Sequence, residues 1–199
     1  MVLAGMAFAG VVLFGASLLR LEYPAAWAPT HVQMEPSHPP SAIEAHSPSV
    51  TTCFTPAQAC ADLIVGILDH ARSQIRLQAY GFTSSPILAA LVAAKQRGVD
   101  VVVILDKSDE RASSASGADY VVRAGIPVFI DYQPAIAHNK VIVVDKHTVV
   151  TGSYNFTAAA ERKNTENVTI IDAPAVATRF LSNWESRRAL SRPFVGDDR

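Results

Sequence analysis

From residue 50 onward, short apolar runs of strand length alternate with stretches whose apolar residues recur at helical spacing, and few folds accommodate that alternation. Gln74 to Tyr80 alternates in polarity and reads as a strand. Val101 to Leu105 is continuously apolar, the pattern of a strand covered on both faces. Val50 to Phe54, Pro127 to Ile130 and Val168 to Ile171 add further strands. Lys140 to Val144 and Thr148 to Thr151 are expected to pair as a hairpin through Asp145, Lys146 and His147. Thr55 as N-cap, Pro56 at the first helical position and Gln58 closing a capping box predict a helix. Its buried face would be Cys60, Leu63, Ile64, Ile67, Leu68 and Ala71. Ser85-Pro86 opens a second helix that runs to Arg97 and stops at Gly98. After a polar, serine-rich loop beyond Asp106, a short helix is expected near Ala118 to Ala124. Ala175 to Ala189 closes the domain as an amphipathic helix with Phe180 and Trp184 inward. The pattern predicts an α/β fold in one domain, a mixed β-sheet flanked by helices on both faces. A hydrophobic fraction of 49% against 18% charged residues excludes a disordered chain.

The chain divides before that domain. Met1 to Leu19 carries no charge, and residues 1–28 read as a signal peptide or an N-terminal membrane anchor. Ala26-Trp27-Ala28 is the best small-residue cleavage site, and Pro29 after it disfavours cleavage. Either form places the globular part outside the cytoplasm, exported to the periplasm or secreted. Residues 29–49 contain Pro29, Pro36, Pro39, Pro40 and Pro48 and form a linker in which His31, His38 and His46 read as solvated. The globular domain is expected over residues 50–191, with 192–199 as a tail. Cys53 and Cys60 flank the turn into the first helix, and in an oxidising compartment they are either a local disulfide or two small buried residues.

The chemistry concentrates in three segments. His138 and Lys140 stand two apart where a strand is expected to begin, so their side chains share a face. An imidazole beside an ammonium favours the neutral, nucleophilic ring, and an anion bound between them relieves the repulsion. That is how a phosphate site is built, with lysine as the charge clamp and histidine as nucleophile or base. Ser153 and Asn155, again two apart, supply neutral donors for non-bridging oxygens. Glu166 can accept an imidazole N–H and fix its orientation. Arg162 and Lys163, close to this segment, are candidate substrate-backbone contacts. No cluster of carboxylates, histidines or cysteines at ligand spacing accompanies the motif, so no metal or other cofactor is expected.

His138-x-Lys140, four residues, Asp145, six residues, then Gly152-Ser153-Tyr154-Asn155 is a spacing that resembles the phospholipase D superfamily. The likeness extends over Val50 to Arg188, to the small secreted bacterial endonucleases of that family. What the resemblance implies is a metal-independent phosphodiesterase working through a covalent histidine intermediate. His138, Lys140 and Asn155 would contact the phosphate, with Ser153 and Glu166 in support. Asp145 is counted with the catalytic set as part of the signature, and the resemblance implies that it buttresses the fold. The family uses two such motifs per active site and this chain has one, so a homodimer with the site at its two-fold interface is expected. The substrate implied is DNA or RNA, held locally because the formal net charge is only -1. The alternative is a phospholipid head group, which a retained N-terminal anchor would favour.

Overall fold

The structure is a computed structural model that describes residues 47–111 and 117–195. The segment read as signal peptide or anchor, and the linker up to residue 46 with its three histidines, lie outside the described residues. Strands β1 (Ser49–Thr55), β2 (Gln74–Ala79), β3 (Asp100–Asp106), β4 (Val128–Asp131), β5 (Val141–Val144), β6 (Thr148–Gly152), β7 (Glu166–Asp172) and β8 (Arg192–Pro193) form one sheet. Its order is β1-β7-β6-β5-β2-β3-β4-β8. β2, β3 and β4 run parallel, and every other neighbouring pair is antiparallel.

Helices α1 (Cys60–His70), α2 (Ser85–Gln96) and α4 (Gly117–Arg123) connect the first strands and bury their apolar sides on one face of the sheet. Ile64 and Leu68 of α1 meet Leu91 of α2 and Leu77 of β2 in that layer. Helix α6 (Pro174–Leu190) covers the other face. Ala177 packs against Val141, Val143 and Val149, and Trp184 against Ile104 and Phe129. The Trp184 indole N–H also donates to Leu77 O at 2.9 Å, so the one polar atom of this core side chain is satisfied. β3 is buried on both sides because it is sandwiched between these layers, which is why its sequence is continuously apolar. The sheet with helices on both faces agrees with the expectation from the sequence.

Three local expectations need correction. Thr55 is the last residue of β1, paired opposite Glu166, and its hydroxyl donates to Asn164 O at 3.1 Å, so it cannot cap α1. α1 begins only at Cys60, without a side-chain cap. Gln58 does reach back, accepting Phe54 N–H at 2.7 Å, but it braces the strand end rather than a helix. The polar stretch after Asp106 starts as a short helix, α3 (Lys107–Arg111), because Asp106 Oδ1 accepts Ser108 N–H at 2.8 Å as an N-cap does. Finally, Arg192 and Pro193 are not tail but β8, paired with Ile130 and Phe129 at the edge of the sheet.

The registers define two poles. Gln78 lies opposite Val141, Val141 opposite Thr151, Gly152 opposite Val168 and Thr55 opposite Glu166. The ends of β1, β2, β3, β4 and β6 and the starts of β5 and β7 therefore share one pole. The β5–β6 turn and Ser49 lie at the other. Cys53 and Cys60 are joined in a disulfide with Cα atoms 5.7 Å apart, tying β1 to the start of α1.

Candidate active site

The site is assembled on the first pole, around the residues that follow β2. Tyr80 is half-buried and packs against the imidazole of His138, with ring centroids 4.7 Å apart and planes tilted by 55°. The Lys140 ammonium stands 5.3 Å from the centre of the same ring. Gly81 has φ +77, and a Cβ there would press on Thr157 Cγ2 at 3.3 Å and on Asn155 Cβ at 3.6 Å. Only a residue without a side chain lets this turn lie on Asn155 in that conformation. Phe82 then bridges to Phe156, whose carbonyl accepts the N–H groups of Thr83 and Ser84 at 2.9 and 2.8 Å. The turn after β2 thus touches His138 and Lys140 through Tyr80, and Asn155 through Gly81.

His138 is exposed in the loop before β5, whereas Lys140 is only 6% exposed. The Lys140 Nζ donates to His138 O at 2.9 Å. Burial holds the Lys140 ammonium below the usual lysine pKa, and the negative charge of Glu166 partly opposes that shift. The strand begins at Val141 rather than at Lys140. The two side chains are therefore placed by loop anchors more than by strand alternation. Those anchors were not foreseen. Asp106, at the end of β3, accepts Ala137 N–H at 2.7 Å. Lys107 donates to Pro134 O at 2.9 Å, so this cation holds the loop instead of facing a substrate. Buried Gln78 accepts from Asn139 Nδ2 at 3.0 Å. Burial by itself would raise the Asp106 pKa, but the backbone N–H groups of Ala137 and Ser108 outweigh it and hold the carboxylate ionised. The sequence carried a signal for Asp106: an acidic residue closing an apolar parallel strand, where α/β sheets place their sites.

The remaining residues come from β6, β7 and the turn between them. Gly152 has φ +148, and a Cβ there would stand 2.2 Å from Asn167 O, so β6 and β7 approach closely only because this residue is glycine. Tyr154, in the same segment, is buried and donates to Glu161 Oε2 at 2.9 Å, which also accepts Ala61 N–H at 3.1 Å. Burial and that carboxylate hold the phenol protonated, well above the usual tyrosine range. Ser153 donates to Glu166 Oε2 at 2.6 Å and accepts Asn167 N–H at 3.1 Å. Its hydroxyl proton is committed to Glu166, which makes it a brace and not a free donor. The other Glu166 oxygen takes Asn164 Nδ2 at 2.9 Å. Within one chain, then, both Glu166 oxygens are engaged away from His138, because β6 separates β7 from β5. Asn155 Oδ1 is buried without a hydrogen-bond partner among the described residues. Such an unpaired acceptor costs about 1–3 kcal/mol; an anionic oxygen would be met instead by the N–H groups of Asn155 Nδ2. Arg162 and Lys163 are exposed at the end of α5 (Ala158–Arg162), just before Glu166.

Asp145 does not join this set. It sits in the β5–β6 turn, about 15 Å from Lys140 along the strand, and accepts Arg72 N–H, Ser73 N–H, Ser73 Oγ–H and Gln74 N–H at 2.8 to 2.9 Å. It must be taken out of the catalytic set. Arg76 also turns away from the site, paired with Asp100 at the other end of the sheet. Among the described residues there is no group of three or more His, Cys, Asp or Glu side chains placed to hold a metal ion.

An exposed imidazole, a buried ammonium beside it and an amide on the neighbouring segment are the groups that hydrolysis of a phosphodiester bond calls for. Comparison with known proteins names the kind. Residues 64–187 match the family described as "Cardiolipin synthase, PLD-like domain". The phospholipase D of Rickettsia bellii is 48% identical over 140 residues, 70% of this chain and 69% of that protein. The human mitochondrial cardiolipin hydrolase is 33% identical over 73% of this chain and 58% of its own. Among solved structures, the phospholipase D family member Nuc from Salmonella typhimurium superposes with a TM-score of 0.71 and 41% identity, over 74% of this chain and 99% of that one. The chain belongs to the phospholipase D superfamily.

Proposed function

We propose that the protein is an exported endonuclease that hydrolyses DNA or RNA through a covalent phosphohistidine, at a site completed by a second copy of the chain. The observation that carries this is the exposed His138 beside the buried Lys140, present once per chain. An imidazole nitrogen of His138 attacks phosphorus and forms a P–N bond. The sugar oxygen leaves and takes a proton from the second copy's imidazole. That imidazole then removes a proton from water, the hydroxide attacks phosphorus, and the P–N bond breaks to release the phosphomonoester. Lys140 and Asn155 stabilise the charge that gathers on the non-bridging oxygens.

A polynucleotide is favoured by cations set beyond the reacting phosphate. Arg162 and Lys163 stand exposed on one side. On the other, the Arg192 guanidinium lies 5.4 Å from the Tyr132 ring centre and Arg188 lies 3.1 Å from that of Phe129. β4, against which these arginines lie, is three strands from β5, about 14 Å and thus within a few nucleotides of His138. A phospholipid head group is the second reading, favoured by the name of the Rickettsia relatives and by Ile136, 55% exposed two residues before His138.

The test is turnover of plasmid DNA, RNA and phosphatidylcholine vesicles by the purified protein, followed by mixing. The nuclease reading expects cleavage of nucleic acid and not of lipid; the reverse overturns it. Wild-type chains co-refolded with an equal amount of His138→Ala chains pair at random, leaving about a quarter of dimers with two histidines. A shared site leaves markedly less than half the activity, and a linear fall with wild-type fraction rejects it.

A further inference from the structure

We infer that Tyr80 is a positioning residue for the phosphodiester reaction, a neutral aromatic wall against which His138 and Lys140 are both held. The inference rests on the assignment of those two residues to the reacting centre and assigns the residue that sets their mutual geometry. The β2–β5 register pairs Gln78 with Val141. Continued two residues past the ladder, it sets Tyr80 across from Asn139, between His138 and Lys140. The contacts agree: the ring lies 4.7 Å from the imidazole centroid and 5.3 Å from Nζ.

What a ring does here, and a polar side chain would not, follows from the demands on each partner. His138 is exposed, and its attacking nitrogen must stay free of hydrogen bonds until the phosphate arrives. A ring packed against the imidazole restricts its rotation without occupying either nitrogen. Lys140 is nearly buried, and burial works against its charge. A carboxylate in contact would restore that charge, but it would also compete with the substrate phosphate for it. The negative face of an aromatic ring stabilises an ammonium by about 0.5–2 kcal/mol while leaving its full charge for an anion. Among the described residues the Tyr80 hydroxyl makes no hydrogen bond, so the ring face carries the role. Among the described residues the carboxylate acting on Lys140 is Glu166, already engaged by Ser153 and Asn164.

The test compares Tyr80→Phe, which keeps the ring, with Tyr80→Leu, which fills a similar volume without a π face. Steady-state kinetics on bis(p-nitrophenyl) phosphate are read alongside the melting temperature and the proton resonance of the His138 Cε1–H. Tyr80→Phe is expected to keep kcat within about twofold and to keep the ring-current shift of that resonance. Tyr80→Leu is expected to lose the shift and about tenfold or more in kcat, with an unchanged melt. Tyr80→Met serves in the same way if the leucine variant does not fold. Retention of kcat in either aliphatic variant overturns the inference, and so does a loss in Tyr80→Phe equal to that in the aliphatic variants. A wild-type protein inactive on any phosphodiester would instead sink the assignment of His138 and Lys140, while the resonance still reports the contact.

Discussion

Asp145→Ala separates the fold from the chemistry within a single sequence signature. The Asp145 carboxylate accepts hydrogen bonds from Arg72 N–H, Ser73 N–H, Ser73 Oγ–H and Gln74 N–H. Its own backbone and that of Lys146 are left-handed, with φ 52 and 59. A bond to a charged group contributes about 1.5–3 kcal/mol when buried, but three of these four are exposed and their donors can turn to water. Discounting for that, the four together amount to about 3 kcal/mol, and for a domain of this size the melt should fall by about 6–12 °C. Turnover measured well below the melt should stay within about twofold of wild type, because no reacting group lies within reach. Acid supplies a second check. Burial would raise the Asp145 pKa, but the N–H groups of Gln74, Arg72 and Ser73 and the Ser73 hydroxyl outweigh it and hold the group below its ordinary value. A depressed carboxyl stabilises the fold above its unfolded pKa of about 3.9 and loses that contribution as pH falls through the folded value. Wild type and variant should therefore differ in melt at neutral pH and converge below about pH 4. A variant that melts like wild type but turns over more than tenfold slower would refute the reasoning, since it would place Asp145 in the reaction.

Gly152→Ala should lower both stability and activity, because the new Cβ would meet Asn167 O and displace the start of β7 with Glu166; a wild-type melt would show that the close approach can relax. Turnover is expected to persist in excess EDTA, and loss on chelation restored by a divalent ion would contradict the phosphohistidine route. Arg188→Ala combined with Arg192→Ala should weaken cleavage of long DNA several-fold and reduce its salt dependence, with bis(p-nitrophenyl) phosphate hydrolysis unchanged; equal losses on both substrates would place these arginines at the reacting phosphate.

The sheet and its flanking helices were legible because β-branched runs and helical spacing report burial directly, as in β3 and α1. The pair His138 and Lys140 stood out for a different reason: an imidazole and an ammonium two residues apart are rarely placed together without an anion to share. What escaped the sequence depends on chain turns that bring distant residues together. Tyr80 reads as the end of a core strand until the turn at Gly81 sets it against His138. Asp106 and Gln78 look like strand residues, and only the fold brings the loop from Pro134 to Asn139 onto them. Thr55-Pro56-Ala57-Gln58 has the letters of a capping box, but pairing of β1 with β7 engages Thr55 first. Asp145 shares a signature with His138 and Lys140 while lying at the other end of β5, because regular sequence spacing can record a turn as readily as a site.

The direction of β1 settles which side of the enzyme a tether can hold. The described chain enters the sheet near Ser49, opposite Asp172, and reaches the catalytic pole only at Thr55, opposite Glu166. Those seven residues cross about 20 Å of sheet. A bead, a carrier protein or a surface joined at Ser49 is therefore held at the pole opposite His138. The other end behaves differently. Arg192 pairs with Ile130 near the catalytic rim, so the same cargo attached after β8 would crowd the entrance it is meant to leave open.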